Sequence, residues 1–273
     1  MNLAEALEIV TRTDPGMVRS HNEDAVYGDA ALGLAILADG MGGYNAGEVA
    51  SGMATTLLAN NFSGIVPTCV PQALDVNGQS IAHLHMADQI GAANSAIYNA
   101  AQSQPQYAGM GTTLVFAWFY DNRLSLAHVG DSRLYRLRQG AFQQLTKDHS
   151  LLQEQLDSGM ITAEEARFSQ NKNLVTRALG VDPLVEADIN DYDVLPGDIY
   201  LLCSDGLNDM VEDDEIGLTL QTLAANLGLA AEQLVQMAND NGGRDNVSVI
   251  LVKVRGDYAA PRSWWQKLLA WLK

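Results

Sequence analysis

Three apolar runs in this chain stop on an aspartate. "LGLAILADG" ends at Asp39, "LSLAHVGD" at Asp131 and "DIYLLCSDG" at Asp205, and Gly40 and Gly206 directly follow two of them. A fourth run reverses the order, with Asp245 just ahead of "NVSVILVKV". If these strand ends meet at one edge of a β-structure, four carboxylates converge; unpaired, they repel one another and take up protons. A divalent cation removes that conflict, and an all-oxygen donor set selects magnesium, manganese or calcium over zinc. Any one Asp-Gly pair is more simply a turn, so the signal lies in the joint pattern. Glycine after Asp39 and Asp205 is expected to let a backbone carbonyl or a bound water approach the ion.

A basic residue stands close by in sequence. "DPGMVRSHNEDA" opens on a turn signal and places Arg19 four and five residues before Glu23 and Asp24. A guanidinium in an acid-rich site suits an anionic ligand, since it can hold two phosphate oxygens in a fork; the alternative is that Arg19 pairs with the acids themselves. Arginine, carboxylates and hard cations together read as phosphoryl chemistry. "GMGG" is not followed by the Gly-Lys-Ser/Thr of a phosphate loop, and "DGLNDMVEDDEIG" lacks the glycine and the acid that a calcium loop needs at its sixth and third positions. Its acids read instead as a solvated helix start. Cys203 lies inside an apolar run with no Cys-x5-Arg loop, so a buried reduced thiol is expected and a cysteine nucleophile is not.

The elements that must position these residues are legible in outline. In the run after Asp245, Val247, Val249 and Leu251 line one face of a strand and Ile250, Val252 and Val254 the other, which predicts cover on both sides. "GTTLVFAWFYDNRLSLAHV" reads as two strands joined by a turn at Asp121-Asn122, so antiparallel pairing and a β-sandwich are expected rather than a doubly wound parallel sheet. Helices are expected over 47–60, 81–103, 151–158 and 230–240, with Gly159 closing the third. Thr162 and Glu165 have capping-box spacing. Residues 64–80 read as a loop, and the polar stretch 146–176 as a mobile excursion from the core.

Composition sets the limits. With 273 residues, 47% of them hydrophobic, the chain can bury a large core, and 33 acidic against 16 basic residues give a formal charge of -17. That charge repels phosphate backbones and anionic membranes, so nucleic-acid binding is not expected. "MNLAEALEIV" has no basic residue of the kind that opens a secretory signal, and no apolar run reaches the length of a membrane span. A cytoplasmic enzyme or binding protein fits.

The stretches "VRSHNEDA", "LADGMGG", "GMGTTLV", "VGDSRLY", "LTKDHS", "NLVTRALG", "LLCSDGLND" and "GGRDNVSVILV" resemble, in their order, the metal-dependent protein phosphatases of the PPM type (type 2C), bacterial branch. The resemblance implies an α+β fold, a four-layer αββα sandwich of two mainly antiparallel β-sheets flanked by helices. It implies a catalytic domain over 1–256, whose flap covers about 146–176, followed by a tail over 257–273. The implied activity is hydrolysis of phosphoserine and phosphothreonine by a metal-activated bridging water between two Mn2+ or Mg2+ ions, about 3.5–4 Å apart, with a third, looser ion. By position, Asp39 bridges the two ions and Gly40 offers its carbonyl to one of them. Asp205 and Asp245 complete the other ion's protein ligands, Asp131 joins Asp205 at the looser ion, Glu23 and Asp24 hold metal-bound waters, and Arg19 binds phosphate. Met41 stands where many animal relatives have histidine, and "ARFSQNKN" lacks a histidine that many bacterial relatives carry, which leaves the general acid open, metal-bound water being one candidate. His149 follows the "DHS" pattern and reads as a structural residue capping a helix start. Implied partners are phosphorylated proteins, substrates of Ser/Thr kinases, and the enzyme is expected to be a monomer. A catalytically weak phosphate-sensing scaffold of the same fold and a small-phosphoester hydrolase are the alternatives.

"PRSWWQKLLAWLK" (261–273) differs from the rest, with three of the four tryptophans. Trp264, Leu268, Trp271 and Leu272 share one face at helical spacing. Docking on the protein's own surface, a partner groove and a membrane interface are its three readings, membrane contact ranking below protein contact.

Overall fold

The computed structural model describes residues 2–43, 46–166 and 174–260. Its strands are β1 (Leu7–Asp14), β2 (Asp24–Asp29), β3 (Leu34–Met41), β4 (Gly111–Thr112), β5 (Leu114–Tyr120), β6 (Arg123–Val129), β7 (Arg133–Arg138), β8 (Ala141–Gln144), β9 (Asp188–Asp193), β10 (Ile199–Cys203) and β11 (Val247–Val254). Its helices are α1 (Leu3–Ala6), α2 (Ala46–Ile65), α3 (Ile81–Ser103), α4 (Leu151–Asp157), α5 (Ala163–Ala166), α6 (Asp205–Asn208), α7 (Asp213–Thr222) and α8 (Leu227–Asp240). The strands form two sheets, β1-β11-β10-β7-β8 and β2-β3-β5-β6-β9, with β4 paired to the end of β3. Every pairing is antiparallel.

β11 shows why the layers stack as they do. Val247, Val249 and Leu251 pack with α7 and α8 residues such as Ile216, Leu220 and Leu234, while Ile250, Val252 and Val254 meet Leu37, Val115 and Phe119 of the facing sheet. α2 and α3 cover the outer face of that second sheet. The αββα sandwich is therefore what the alternation along β11 calls for. The hairpin between β5 and β6 turns at Asp121 and Asn122, both with left-handed φ (46° and 55°), the backbone of a type I′ turn.

α2 sets the distance between helix layer and sheet. Its buried stripe runs Ala46, Ala50, Ala54, Leu58, Phe62, so the helix lies closest to β3 at its N-terminus and is held off at the other end by Phe62, edge-on to Phe116 and Trp118. At the close end a Cβ on Gly40 would lie 2.2 Å from the carbonyl oxygen of Gly47. β3 thus ends directly against the first turn of α2.

Several boundaries differ from the sequence expectation. α8 begins at Leu227, three residues early, because the Asn226 side chain accepts from the Leu229 N–H (3.1 Å) and Leu227 is buried. β9, "DINDYD", carries no apolar alternation and is a strand only because β6 offers it an edge. The expected excursion 146–176 is tied down at both described ends, since Thr146 Oγ1 accepts from the Leu134 N–H and Ser150 bridges to Val175; residues 167–173 lie outside the described residues. Past the expected boundary at 256, Tyr258 is buried and its N–H donates to Asn122. The segment 261–273 also lies outside the described residues. Among the described residues no helix is long and apolar enough to cross a membrane.

Candidate metal centre

Antiparallel pairing brings the ends of β3, β6 and β10 and the starts of β2, β5 and β11 to one edge of the sandwich. There a cleft of about 260 Å³ opens, lined by Glu23, Asp39, Asp131, Asp205 and Asp245, by Arg19 and Gly40, and on its rim by Met41 and Val175. Asp24 lies directly behind it, opposite Asp39 in the β2–β3 register. The structure therefore assembles all eight residues singled out in the sequence.

Charge is crowded at this edge. Burial first, then the charge of Asp24, raises the Asp39 carboxyl well above its usual range, and Asp205 is raised likewise by burial and then by Asp131. Asp24 and Asp131 are each pushed to about 6, mainly by burial. Arg19 is the cation on the cleft wall, its Nη2 2.6 Å from Asp245 Oδ2, with half of its side chain exposed. That hydrogen bond raises the Arg19 pKa. Arg19 thus pairs with Asp245, rather than with Glu23 or Asp24, and keeps half of its side chain exposed at the cleft.

The acids fit a hard cation. Asp24 Oδ1 is buried without a hydrogen-bond partner, and buried Glu23 Oε1 has no hydrogen bond and only His21 Nε2 at 3.5 Å; a carboxylate oxygen left unpaired in such a position costs several kcal/mol, roughly. All of the donors are oxygen, the chemistry of Mn2+ and Mg2+ rather than of zinc.

Residues 18–244 match the family model of protein phosphatase 2C. The chain belongs to that family. Serine/threonine protein phosphatase PstP of Mycobacterium tuberculosis is 42% identical over 248 residues, 91% of this chain and 45% of that protein, so the chain spans less than half the length of this relative. Serine/threonine phosphatase stp of Listeria monocytogenes is 38% identical over 245 residues, 89% of this chain and 94% of that protein. Among solved structures, the catalytic domain of PstP in complex with two manganese ions superposes with a TM-score of 0.79 at 40% identity, covering 92% of this chain and 99% of that one.

Within this phosphatase 2C fold, several supporting residues carry no sequence signal of their own. The Asn246 side chain accepts from the Glu23 N–H (2.8 Å) and donates to the carbonyls of Pro15 and His21 (3.0 Å each), tying the Arg19-bearing segment to the start of β11. Ser204 Oγ donates to Asp24 Oδ2 (2.9 Å), and Thr113 Oγ1 accepts from the Asp39 N–H (3.1 Å). In the sequence they stand out only as members of the stretches "GGRDNVSVILV", "LLCSDGLND" and "GMGTTLV".

The structure corrects the expectation for His149 and bears out that of a buried, reduced Cys203. The glycines after Asp39 and Asp205 make room for protein: a Cβ on Gly206 would lie 2.0 Å from the Asn246 carbonyl oxygen, and one on Gly40 meets Gly47. Backbone packing by itself demands glycine there. His149 does not cap α4; Ser150 does, its Oγ accepting from the Gln153 N–H. His149 instead accepts from the Gly130 N–H. Cys203 is a free, buried thiol whose pKa burial drives upward, in keeping with an inert role.

Proposed function

We propose that this chain is a metal-dependent protein phosphatase that hydrolyses phosphoserine and phosphothreonine. The observation that carries the proposal is the convergence of Asp24, Asp39, Asp131 and Asp205, desolvated and mutually repelling, in a cleft walled by Arg19. The names of the relatives and the two manganese ions of the PstP structure support it.

Asp39, with the Gly40 carbonyl, Asp205 and Asp245 would hold two Mn2+ or Mg2+ ions, Asp131 with Asp205 a third, looser one, and Glu23 and Asp24 waters at their edge. Bound there, such ions would lower the pKa of a water so that hydroxide is available near neutral pH, and would offset charge on the phosphoryl oxygens. Arg19 orients the phosphate through the N–H groups not used by Asp245, and its pairing with Asp245 limits the angles it can take. Ser204 fixes the Asp24 carboxylate through its hydroxyl, and Thr113 holds the backbone N–H of Asp39. Met41 lines the cleft and offers no proton, so the general acid is not supplied from that position.

The proposal extends to partners and place: proteins phosphorylated by Ser/Thr kinases are the substrates, met in the cytoplasm by a single chain. The catalytic unit, with 146–176 as its flap, runs past the expected boundary at 256 to include Tyr258, which is buried and bound to Asn122.

Phosphate release from a phosphothreonine peptide, measured with manganese, with magnesium and with EDTA, tests this. Metal-dependent turnover is the expected result. Binding of the phosphopeptide without turnover under any condition would support the scaffold reading instead, and faster turnover of small phosphoesters than of peptides the metabolite reading.

A further inference from the structure

The turn that delivers Asp131 is held by side chains with no part in the scheme above. Gly130 has φ +104°, and a Cβ there would lie 2.7 Å from Cβ and Cγ2 of Thr113, so no other residue fits. Its carbonyl accepts from His128 Nε2 (2.8 Å) and from the His149 N–H (2.8 Å), and its own N–H donates to His149 Nδ1 (3.1 Å). Both imidazoles are shielded from solvent, their rings 4.4 Å apart and tilted by 33°.

The hydrogen bonds define both tautomers. A carbonyl only accepts, so His128 carries its proton on Nε2; a backbone N–H only donates, so His149 presents a lone pair at Nδ1. The His149 proton then sits on Nε2, 3.3 Å from Asp188 Oδ2; Arg177 Nη1 also lies 3.2 Å from this nitrogen but, being itself a donor, forms no hydrogen bond with the protonated Nε2. Arg177 Nη1 donates to Asp188 Oδ1 (2.8 Å) and to the Glu186 carbonyl (3.0 Å), which balances the charge of Asp188. His128, His149 and Asp188 lie close enough to share a metal ion, yet Arg177 already supplies the cation there and Gly130 takes one nitrogen of each ring. Burial lowers His128 to about 4 and lowers His149 as well, in line with two neutral rings.

The same histidine anchors the base of the excursion. The Thr176 N–H donates to the His149 carbonyl (2.8 Å), the Leu151 N–H to that of Leu174 (2.9 Å), and Ser150 pairs with Val175, which lines the cleft.

We propose that His149 is a positioning residue: its ring, oriented by Asp188, holds the Gly130 N–H and so sets Asp131, while its backbone carbonyl ties down Thr176 beside the Val175 edge of the cleft. The inference rests on the reading of Asp131 as a ligand of the looser ion. Loss of an outer-shell partner of this kind typically weakens metal binding about 10–100-fold.

The test is calorimetric titration of the full chain with Mn2+, together with peptide kinetics at saturating manganese. In His149→Phe the weakest class of bound manganese should bind about tenfold less tightly or vanish, with the tighter ions unchanged. kcat should fall with KM little altered. His149→Asn, whose Oδ1 can accept where Nδ1 did, should recover most of both. In an Asp131→Asn background His149→Phe should add nothing, because the two act on one site. Asp188→Ala, at a half-exposed residue, should shift the same class of ion in the same direction, and serves if the phenylalanine variant does not fold. An unchanged weak class in both His149→Phe and Asp188→Ala, additivity with Asp131→Asn, or an asparagine variant no better than phenylalanine would overturn the positioning role. If the wild type takes up no manganese, the metal reading of the acids fails first, a result distinct from these.

Discussion

Asp24 and Asp39 stand directly opposite one another on neighbouring strands β2 and β3, one oxygen of Asp24 held by Ser204 and the other buried with no partner. Two carboxylates in that register destabilise a sheet unless something positive lies between or beside them. Replacing Asp39 by Asn removes the repulsion without changing volume. Turnover should then drop by more than the roughly 10–100-fold typical of an outer-shell loss. In EDTA, by contrast, the variant should melt at a higher temperature than the wild type. An active Asp39→Asn enzyme, or one less stable than the wild type in EDTA, would count against the site.

The raised carboxyls make stability depend on pH in a definite direction. Asp24 and Asp131 titrate at about 6 in the folded chain, against about 3.9 when unfolded. Between those values the folded state binds more protons than the unfolded one, so metal-free protein loses stability as pH rises through that window. Manganese needs the ionised carboxylates, so the gain in Tm on adding it should grow from about pH 5 to about pH 7.5. Differential scanning fluorimetry with and without manganese across that range checks this; a gain that does not vary with pH would contradict it.

Arg19 is half exposed and paired with Asp245, so its removal should scarcely affect stability but should weaken phosphate binding. Arg19→Ala is expected to raise KM for a phosphopeptide by roughly tenfold or more, the loss of a charged hydrogen bond. Arg19→Lys should recover only part of this, since a point charge cannot form the fork. Steady-state kinetics of the two variants, alongside denaturant unfolding, separates the two effects.

Gly206 is required by its neighbour. Gly206→Ala sets a methyl group against the Asn246 carbonyl, and because both partners are backbone the strain cannot be relieved by a rotamer change. A destabilisation of about 1–3 kcal/mol is expected in urea unfolding, with a loss of activity as Asn246 and the Glu23 segment shift. Gly52, where a Cβ meets nothing within 4 Å, is the control and should tolerate alanine.

Much of the fold was legible because its signals are short-range. The β5–β6 turn sits at Asp121-Asn122, α3 spans Ile81–Ser103 as its pattern predicts, and the two faces of β11 divide between two cores along its alternation. Strand β9 was not legible, since an acidic edge strand takes its structure from its partner, and neither was the early start of α8, which Asn226 sets through its side chain.

The site divides along the same line. The sequence by itself determined the acids: aspartates at the ends of buried runs, and Arg19, Glu23 and Asp24 after a tight turn, are residue types whose burial together demands a counter-ion. What only the tertiary structure decided is how they are held, because Asn246 to Glu23, Gly206 to Asn246 and Gly130 to His149 are contacts between elements or between segments far apart in the chain. No local pattern encodes which side chain will lie across from which backbone group once two sheets have packed.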